Sequence, residues 1–261
     1  MKIRFVFTLL ISFAALLTGN AQITYDMEIK NFSPRAIGSY PQQILKVGQT
    51  DSSTRVRIRV EKASEDKVKR ELAENDLFSP GYSYPPEVAA YLEVTPLVNK
   101  ENAVIAAIAD TLFDQKQETI RIIEKGLKFV STYIVFDDSL ALEISKGNCR
   151  TLPVEDIIER RKGTCSEYTG LFLALMRKKG IPARFIAGFI YMPEQNFSGC
   201  HAWAECYIKN YGWLAVDPQN GRVWIPPTAI KLFAGKDFNQ CGLVSFADLV
   251  PSSIRIVEKE K

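Results

Sequence analysis

The sequence predicts an α+β fold: a β-rich lead-in followed by a mixed core of helices and strands. Three observations predict it. Thr54-Arg55-Val56-Arg57-Ile58-Arg59-Val60 alternates polar and apolar strictly, the period of a half-buried strand. Apolar residues recur at helical spacing in three later segments, beginning near Asn102, Thr119 and Thr164. His201 to Ile208 and Trp213 to Asp217 read as two strands joined by the turn Asn210-Tyr211-Gly212.

Each element has its own reason. Lys2 and Arg4 precede an apolar run from Phe5 to Leu17, and small residues follow at Gly19 and Ala21. That layout is a secretory signal, expected over residues 1–21 with cleavage after Ala21. The run falls short of the roughly 20 residues that span a bilayer. Residues 22–88 are expected as a β-rich region, with Val56, Ile58 and Val60 inward and the three arginines on a solvated face. Ser79-Pro80-Gly81 and Pro85-Pro86 are breakers, so 79–86 reads as a long loop. The core is expected over residues 89–250. Its first helix groups Val104, Ile105, Ile108 and Leu112, and its second Ile122, Ile123, Leu127 and Val130. Asp137-Asp138 reads as a capped turn rather than a metal site. Pro153 opens a short helix, Val154 to Arg161. A longer helix begins at the N-cap Thr164 and stops at Gly180 after the basic turn Arg177-Lys178-Lys179. Pro226-Pro227 is expected to end the strand region after the hairpin. Residues 251–261 are expected as a C-terminal tail with a frayed charged end.

Composition narrows the function. The chain has 261 residues, Lys+Arg 33 against Asp+Glu 30, five Cys and one His, for a net charge of +3. So small an excess, without a basic stripe, gives no nucleic-acid partner. A single His excludes His-rich zinc sites and H-E-x-x-H helices. No metal and no cofactor is expected, and any imidazole chemistry must use His201. No later segment is long and apolar enough to span a membrane, and no Cys lies at the cleavage point to carry a lipid. The product is therefore expected to be exported, periplasmic or extracellular, without a stable membrane anchor.

The chemistry concentrates between Gly163 and Pro218. Cys165 falls on the first turn of the helix that Thr164 caps, among unpaired N–H groups and at the positive end of the dipole. That setting favours thiolate, and the same N–H groups can hold an oxyanion. His201 lies on the first hairpin strand and Asp217 at the end of the second. A hairpin pivoting on Asn210-Tyr211 sets Asp217 opposite Ala204, so a diagonal contact or an irregular turn is needed to bring Asp217 to His201. Trp203 and Trp213, beside this pair, are candidates for lining a substrate cleft, with core packing the equal alternative. Arg184 reads as one half of a structural ion pair.

Lys162-Gly163-Thr164-Cys165-Ser166-Glu167-Tyr168, Leu171 to Arg177, Gly180-Ile181-Pro182-Ala183-Arg184, Gly188-Phe189, His201-Ala202-Trp203-Ala204-Glu205 and Gly212-Trp213-Leu214-Ala215-Val216-Asp217-Pro218 together resemble the transglutaminase-like superfamily, a branch of papain-like thiol enzymes, in a bacterial-type secreted form. The resemblance implies a papain/transglutaminase-like core in which the helix bearing Cys165 packs on an antiparallel sheet bearing His201 and Asp217. It implies Cys165 as nucleophile, His201 as base and Asp217 as its orienter. It leaves the second oxyanion donor unassigned and does not extend to residues 22–88.

The expected function is an exported thiol hydrolase that cleaves peptide or related amide bonds through an acyl-enzyme. The partner is then a peptide, protein or cell-wall peptide substrate. A transamidase and a catalytically silent binding module are the alternatives. Cys149, Cys200, Cys206 and Cys241 are left for structure. Cys200 and Cys206 lie too far apart on one strand to bridge each other. That leaves 149–200 with 206–241, 149–206 with 200–241, or free thiols.

Overall fold

Strict alternation in Thr54–Val60 does produce a strand, and it sits inside a sheet that both ends of the described chain complete. The computed structural model describes residues 21–30, 38, 41–50, 53–62, 65–73, 78–113, 117–148, 150–192, 197–241 and 251–260. The segment expected as a secretory signal, residues 1–21, lies outside the described residues except for Ala21. In chain order the elements are β1 (Ala21–Ile29), β2 (Gln42–Gln49), β3 (Thr54–Lys62), α1 (Glu65–Ala73), α2 (Pro86–Ala89), α3 (Ala103–Leu112), α4 (Thr119–Tyr133), β4 (Val135–Phe136), α5 (Asp138–Ser145), α6 (Val154–Arg160), β5 (Lys162–Gly163), α7 (Cys165–Lys179), β6 (Ala183–Met192), β7 (Phe197–Ile208), β8 (Gly212–Val216), β9 (Ala229–Gly235) and β10 (Ser253–Glu260).

The first sheet has the order β10-β1-β3-β2 and is antiparallel throughout. Val56, Ile58 and Val60 are buried, with Tyr25, Met27 and Ile29 of β1 beside them. The arginine face is polar as expected, and carboxylates of β1 meet it: Arg57 reaches Asp26 at 2.6 and 2.8 Å, and Arg55 reaches Glu28 at 3.0 Å. Arg255 adds a third bond to Asp26 at 2.9 Å. The Arg57 hydrogen bonds foremost, with the one from Arg255 and both charges, outweigh the opposing effect of burial and lower the Asp26 pKa to about 2. Exposed pairs of this kind add little stability, because solvent screens them. The expectation of a frayed tail at 251–261 is corrected here. β10 pairs with β1 from Gln22↔Glu260 to Glu28↔Ser253, because its Ser-Ile-Arg-Ile-Val alternation is itself a strand pattern.

The second sheet, order β8-β7-β6-β9, is also antiparallel. α7 packs on β6 and β7 and contacts α3, α4 and α6 on its other sides. Cover on all sides buries every residue from Ser166 to Arg177, the apolar run Leu171–Met176 together with Ser166, Glu167, Thr169 and Arg177. α4 buries Ile122, Ile123, Leu127 and Val130 as its period requires, all at 0% exposure. α3 is capped by Asn102, whose side chain accepts from Val104 N–H at 2.9 Å and Ile105 N–H at 3.3 Å. Its buried face centres on Ile105 and Ala109, and Val104, grouped with that face in the sequence reading, is 47% exposed. Asp137 caps α5 through Ser139 N–H and Leu140 N–H. Pro226-Pro227 precedes β9 rather than closing a strand region.

The two sheets are joined by specific bonds. The Gln42 amide donates to Lys231 O at 2.9 Å and accepts from Lys231 N–H at 3.0 Å, so one side chain pairs with the edge strand β9 as a strand would. Tyr25 donates to Pro227 O at 3.2 Å. Within the second sheet, Gly188 permits the closest approach. A Cβ there would lie 2.1 Å from Ile230 O and 2.7 Å from the Trp203 ring. Gly188→Ala is expected to destabilise the fold by about 3 kcal/mol, read as a lower urea midpoint at unchanged slope.

Candidate active site

The local sequence sets each member of the site before the fold assembles them. Thr164 is the N-cap of α7, and Cys165 is its first residue. The carbonyl of Thr164 accepts from Glu167 and Tyr168 N–H. The N–H groups of Cys165 and Ser166 have no acceptor among the described residues, as first-turn donors of a helix do not. Cys165 is half-buried. Gly180 ends the helix in the left-handed region at φ 88°, where glycine is favoured.

His201 is on β7, where Gly188 of β6 faces it. The hairpin pairs Ala204 with Val216 and Ile208 with Gly212, one position off the pivot read from the sequence. Asp217 thus lies one residue beyond β8 and reaches His201 diagonally, His201 Nε2 to Asp217 Oδ2 at 3.0 Å. Cys165 lies close enough to the imidazole to add to the rise of its pKa. With Nε2 on Asp217, Nδ1 is the nitrogen left for the sulfur. The structure therefore brings Cys165, His201 and Asp217 together.

The electrostatics of the group follow from its burial. His201 is 7% exposed and Asp217 4%. Burial works against the imidazolium. The Asp217 charge and hydrogen bond, and then Cys165, outweigh it and push the His201 pKa up to about 10. Burial raises the Asp217 carboxyl, but the His201 charge and the bonds from His201 and Asn220 leave it below its ordinary value. A cysteine beside an imidazole that is itself paired with a buried carboxylate can attack a carbonyl, and the imidazole can then protonate a leaving amine. Among the described residues, no group of three or more His, Cys, Asp or Glu is placed to hold a metal ion.

Asn220 was missed in the sequence reading. Its side chain donates to Asp217 Oδ2 at 2.7 Å and its N–H to Asp217 Oδ1 at 3.1 Å. The bridge between Asp217 and Arg222 closes the same turn. The signal was available: Asp-Pro-Gln-Asn-Gly is turn chemistry that returns a side chain to the leading Asp. Asn220→Ala is expected to lower kcat roughly tenfold with KM little changed, checked by steady-state kinetics on any turned-over substrate.

The two tryptophans do not form an open cleft wall. Trp203 is 2% exposed, among Ile186, Ile225 and Ala229. Its ring stacks on His201 at 6.2 Å between centroids and 25° between planes, so it backs the imidazole by packing. Trp213 pairs with Tyr207, six residues from His201, roughly 20 Å along the strand. It carries the Arg184 guanidinium 4.1 Å above its ring. Arg184 is ion-paired as expected, to Glu205 Oε2 at 2.8 Å, and Lys231 Nζ meets Glu205 Oε1 at 2.6 Å. Burial draws the Lys231 pKa down against the pull of Glu205.

Cys165, Cys200, Cys206 and Cys241 are all thiols, which removes both disulfide sets considered from the sequence. Cys149 lies outside the described residues. Cys206 and Cys241 are core side chains whose burial raises their thiol pKa values.

Residues 107–218 match the profile of the Transglutaminase-like superfamily. A protein-glutamine gamma-glutamyltransferase of Pseudomonas aeruginosa is 36% identical over 75 residues, 25% of this chain and 11% of that protein. An uncharacterized Haemophilus influenzae protein is 25% identical over 157 residues, 51% of this chain and 40% of that protein. The chain thus spans less than half the length of either relative. The crystal structure of a Cytophaga hutchinsonii protein, provisionally described as a cysteine protease, superposes with a TM-score of 0.55 at 15% identity, over 92% of this chain and 90% of that one. At that identity the likeness is one of fold, a papain/transglutaminase-like α+β core. What the match shows is a transglutaminase-like domain in residues 107–218, somewhat less than half of the chain.

Proposed function

We propose that the chain is an exported thiol hydrolase that cleaves peptide or related amide bonds through an acyl-enzyme. Cys165 is the nucleophile, His201 the general base and acid, and Asp217 the orienter of the imidazole. The observation that carries this reading is the single imidazole of the chain held between the Cys165 sulfur and the buried Asp217 carboxylate. Thiolate attack on the carbonyl forms the thioester, His201 protonates the leaving amine, and water releases the acid. Export rests on the leader-like residues 1–21. The substrates in view are peptides, proteins or cell-wall peptides. No described helix is long and apolar enough to cross a membrane.

A second reading, a transamidase, is favoured by the description of the Pseudomonas aeruginosa relative. Both share the acyl-enzyme and differ in the acceptor. The test incubates the protein with a library of peptides and cell-wall fragments, with and without a primary amine, and with Cys165→Ala as control. Free acid as the main product supports the hydrolase. An amine adduct as the main product replaces it with the transamidase. No burst from an activated ester, with the thiol confirmed reduced, leaves a binding module. Iodoacetamide is expected to label Cys165 faster than Cys200, Cys206 or Cys241, checked by peptide mapping. Equal or slower labelling of Cys165 would count against an activated thiolate.

A further inference from the structure

Two residues beyond Cys165 lies a carboxylate for which the mechanism above has no use. Glu167 is 0% exposed, and among the described residues no cation is paired with it. Four donors replace one. Its Oε1 accepts from the Thr151 hydroxyl at 2.7 Å and from Leu152 N–H at 3.1 Å. Its Oε2 accepts from Thr164 N–H at 2.7 Å and from the Thr164 hydroxyl at 2.8 Å. Four bonds fill the acceptor capacity of an ionised carboxylate.

An N-terminal capping box uses a Glu at this position to satisfy the N-cap N–H from the helix surface. Here the same residue is inside the protein and also ties in a second segment, Thr151–Leu152. The neighbouring glycine exists for it. A Cβ on Gly163 would lie 2.2 Å from Glu167 Cβ and 2.7 Å from its Cγ. The sequence Gly163-Thr164-Cys165-Ser166-Glu167 is thereby one unit, in which Gly163 makes room for the carboxylate and Thr164 is held by it.

The consequence concerns which donors remain. Glu167 consumes the Thr164 N–H, while among the described residues the Cys165 and Ser166 N–H groups keep no acceptor. We propose that Glu167 is a positioning residue for acyl transfer: by engaging Thr164, Thr151 and Leu152 it fixes the first turn of α7 so that the Cys165 and Ser166 N–H groups stay vacant and aimed at the developing oxyanion. Its catalytic consequence rests on the acyl-enzyme reading above. The allocation of hydrogen bonds does not.

Two measurements on Glu167→Gln test it. The amide in Gln turns one acceptor oxygen into a donor, which must face either Thr164 or Thr151 and Leu152. Hydrogen exchange reads the allocation without any substrate. In the wild type, Thr164 and Leu152 amides are expected to be protected and Cys165 and Ser166 amides to exchange fast. In the variant, protection at Thr164 or Leu152 falls at least tenfold. Protection of Cys165 or Ser166 equal to that of Thr164 in the wild type overturns the proposal, whatever the activity.

The second measurement separates acylation from thiolate reactivity. Attack on an activated ester needs the oxyanion donors, whereas iodoacetamide alkylation needs only the thiolate. Glu167→Gln is expected to slow acylation about 100-fold, the scale of one lost oxyanion donor, with alkylation within about threefold of wild type. A parallel fall in both rates marks a merely structural role and overturns the proposal, as does acylation within threefold of wild type. Thr151→Val, which removes one of the four donors, repeats both measurements with smaller effects if Glu167→Gln does not fold. A wild type that alkylates normally but never acylates sinks the acyl-enzyme reading, while the exchange pattern still decides the allocation.

Discussion

His201→Ala is expected to lower acyl transfer by at least about 10⁴-fold while leaving the fold intact. The magnitude follows from how such groups act as a unit: loss of the base removes both activation of the nucleophile and protonation of the leaving group. No other imidazole in the chain can take over, since His201 is the only one. The side chain is buried at the site beside Asp217 and Trp203, so some loss of melting temperature accompanies the loss of activity and is read separately from it. The check is a burst experiment with an activated ester beside a thermal melt. The same variant is expected to lose fast alkylation of Cys165 at neutral pH, because the imidazolium that stabilises the thiolate is gone. Activity within tenfold of wild type would remove His201 from the mechanism.

Asp217→Asn is expected to cost roughly 10³-fold in kcat and to move the alkaline limb of the pH–rate profile downward. Two effects combine. The amide cannot balance an imidazolium, and its NH₂ can turn toward Nε2 and impose the wrong tautomer. Asp217 also provides the largest influence that raises His201 against its burial. With His201 at about 10 in the wild type, the protonated pair persists well above neutrality. Without the carboxylate, burial takes over and the limb falls toward or below the ordinary His value of about 6.5. A kcat/KM profile of both proteins over pH 5 to 11 checks this, and an unmoved alkaline limb would refute the assigned role of Asp217.

The same shift makes stability depend on pH with a definite sign. A histidine whose folded pKa is raised binds more protons folded than unfolded between the two values. Its contribution is fully present below about 6.5, the unfolded value, and is lost as pH rises through about 10. Wild type should therefore lose melting temperature across that window, and Asp217→Asn should lose less. The depressed Asp217 adds stability that is present above its unfolded value and fades as pH falls through the folded one.

The sequence by itself determined the local elements. The 3.6 period of Thr119–Tyr133 and the cap-and-stop chemistry of Thr164 and Gly180 read through directly, because these depend on near neighbours. The order Cys, His, Asp was legible for the same reason, together with the helix start that holds Cys165. Tertiary structure alone decided the rest. A one-position shift in the hairpin puts Asp217 beyond β8 and onto His201 diagonally, and register is set where β7 packs on α7 and β6, not by the turn residues alone. Burial of Trp203 and the distance of Trp213 from His201 follow from which neighbours cover each ring. The C-terminal segment carries a strand pattern of its own, but its partner is β1, more than 200 residues earlier, which offers it an edge. The four-donor seat of Glu167 likewise needs Thr151 and Leu152, which no spacing rule brings to a helix start. Local chemistry is written in adjacent residues, whereas these placements come from contacts whose partners the chain supplies only once it has closed.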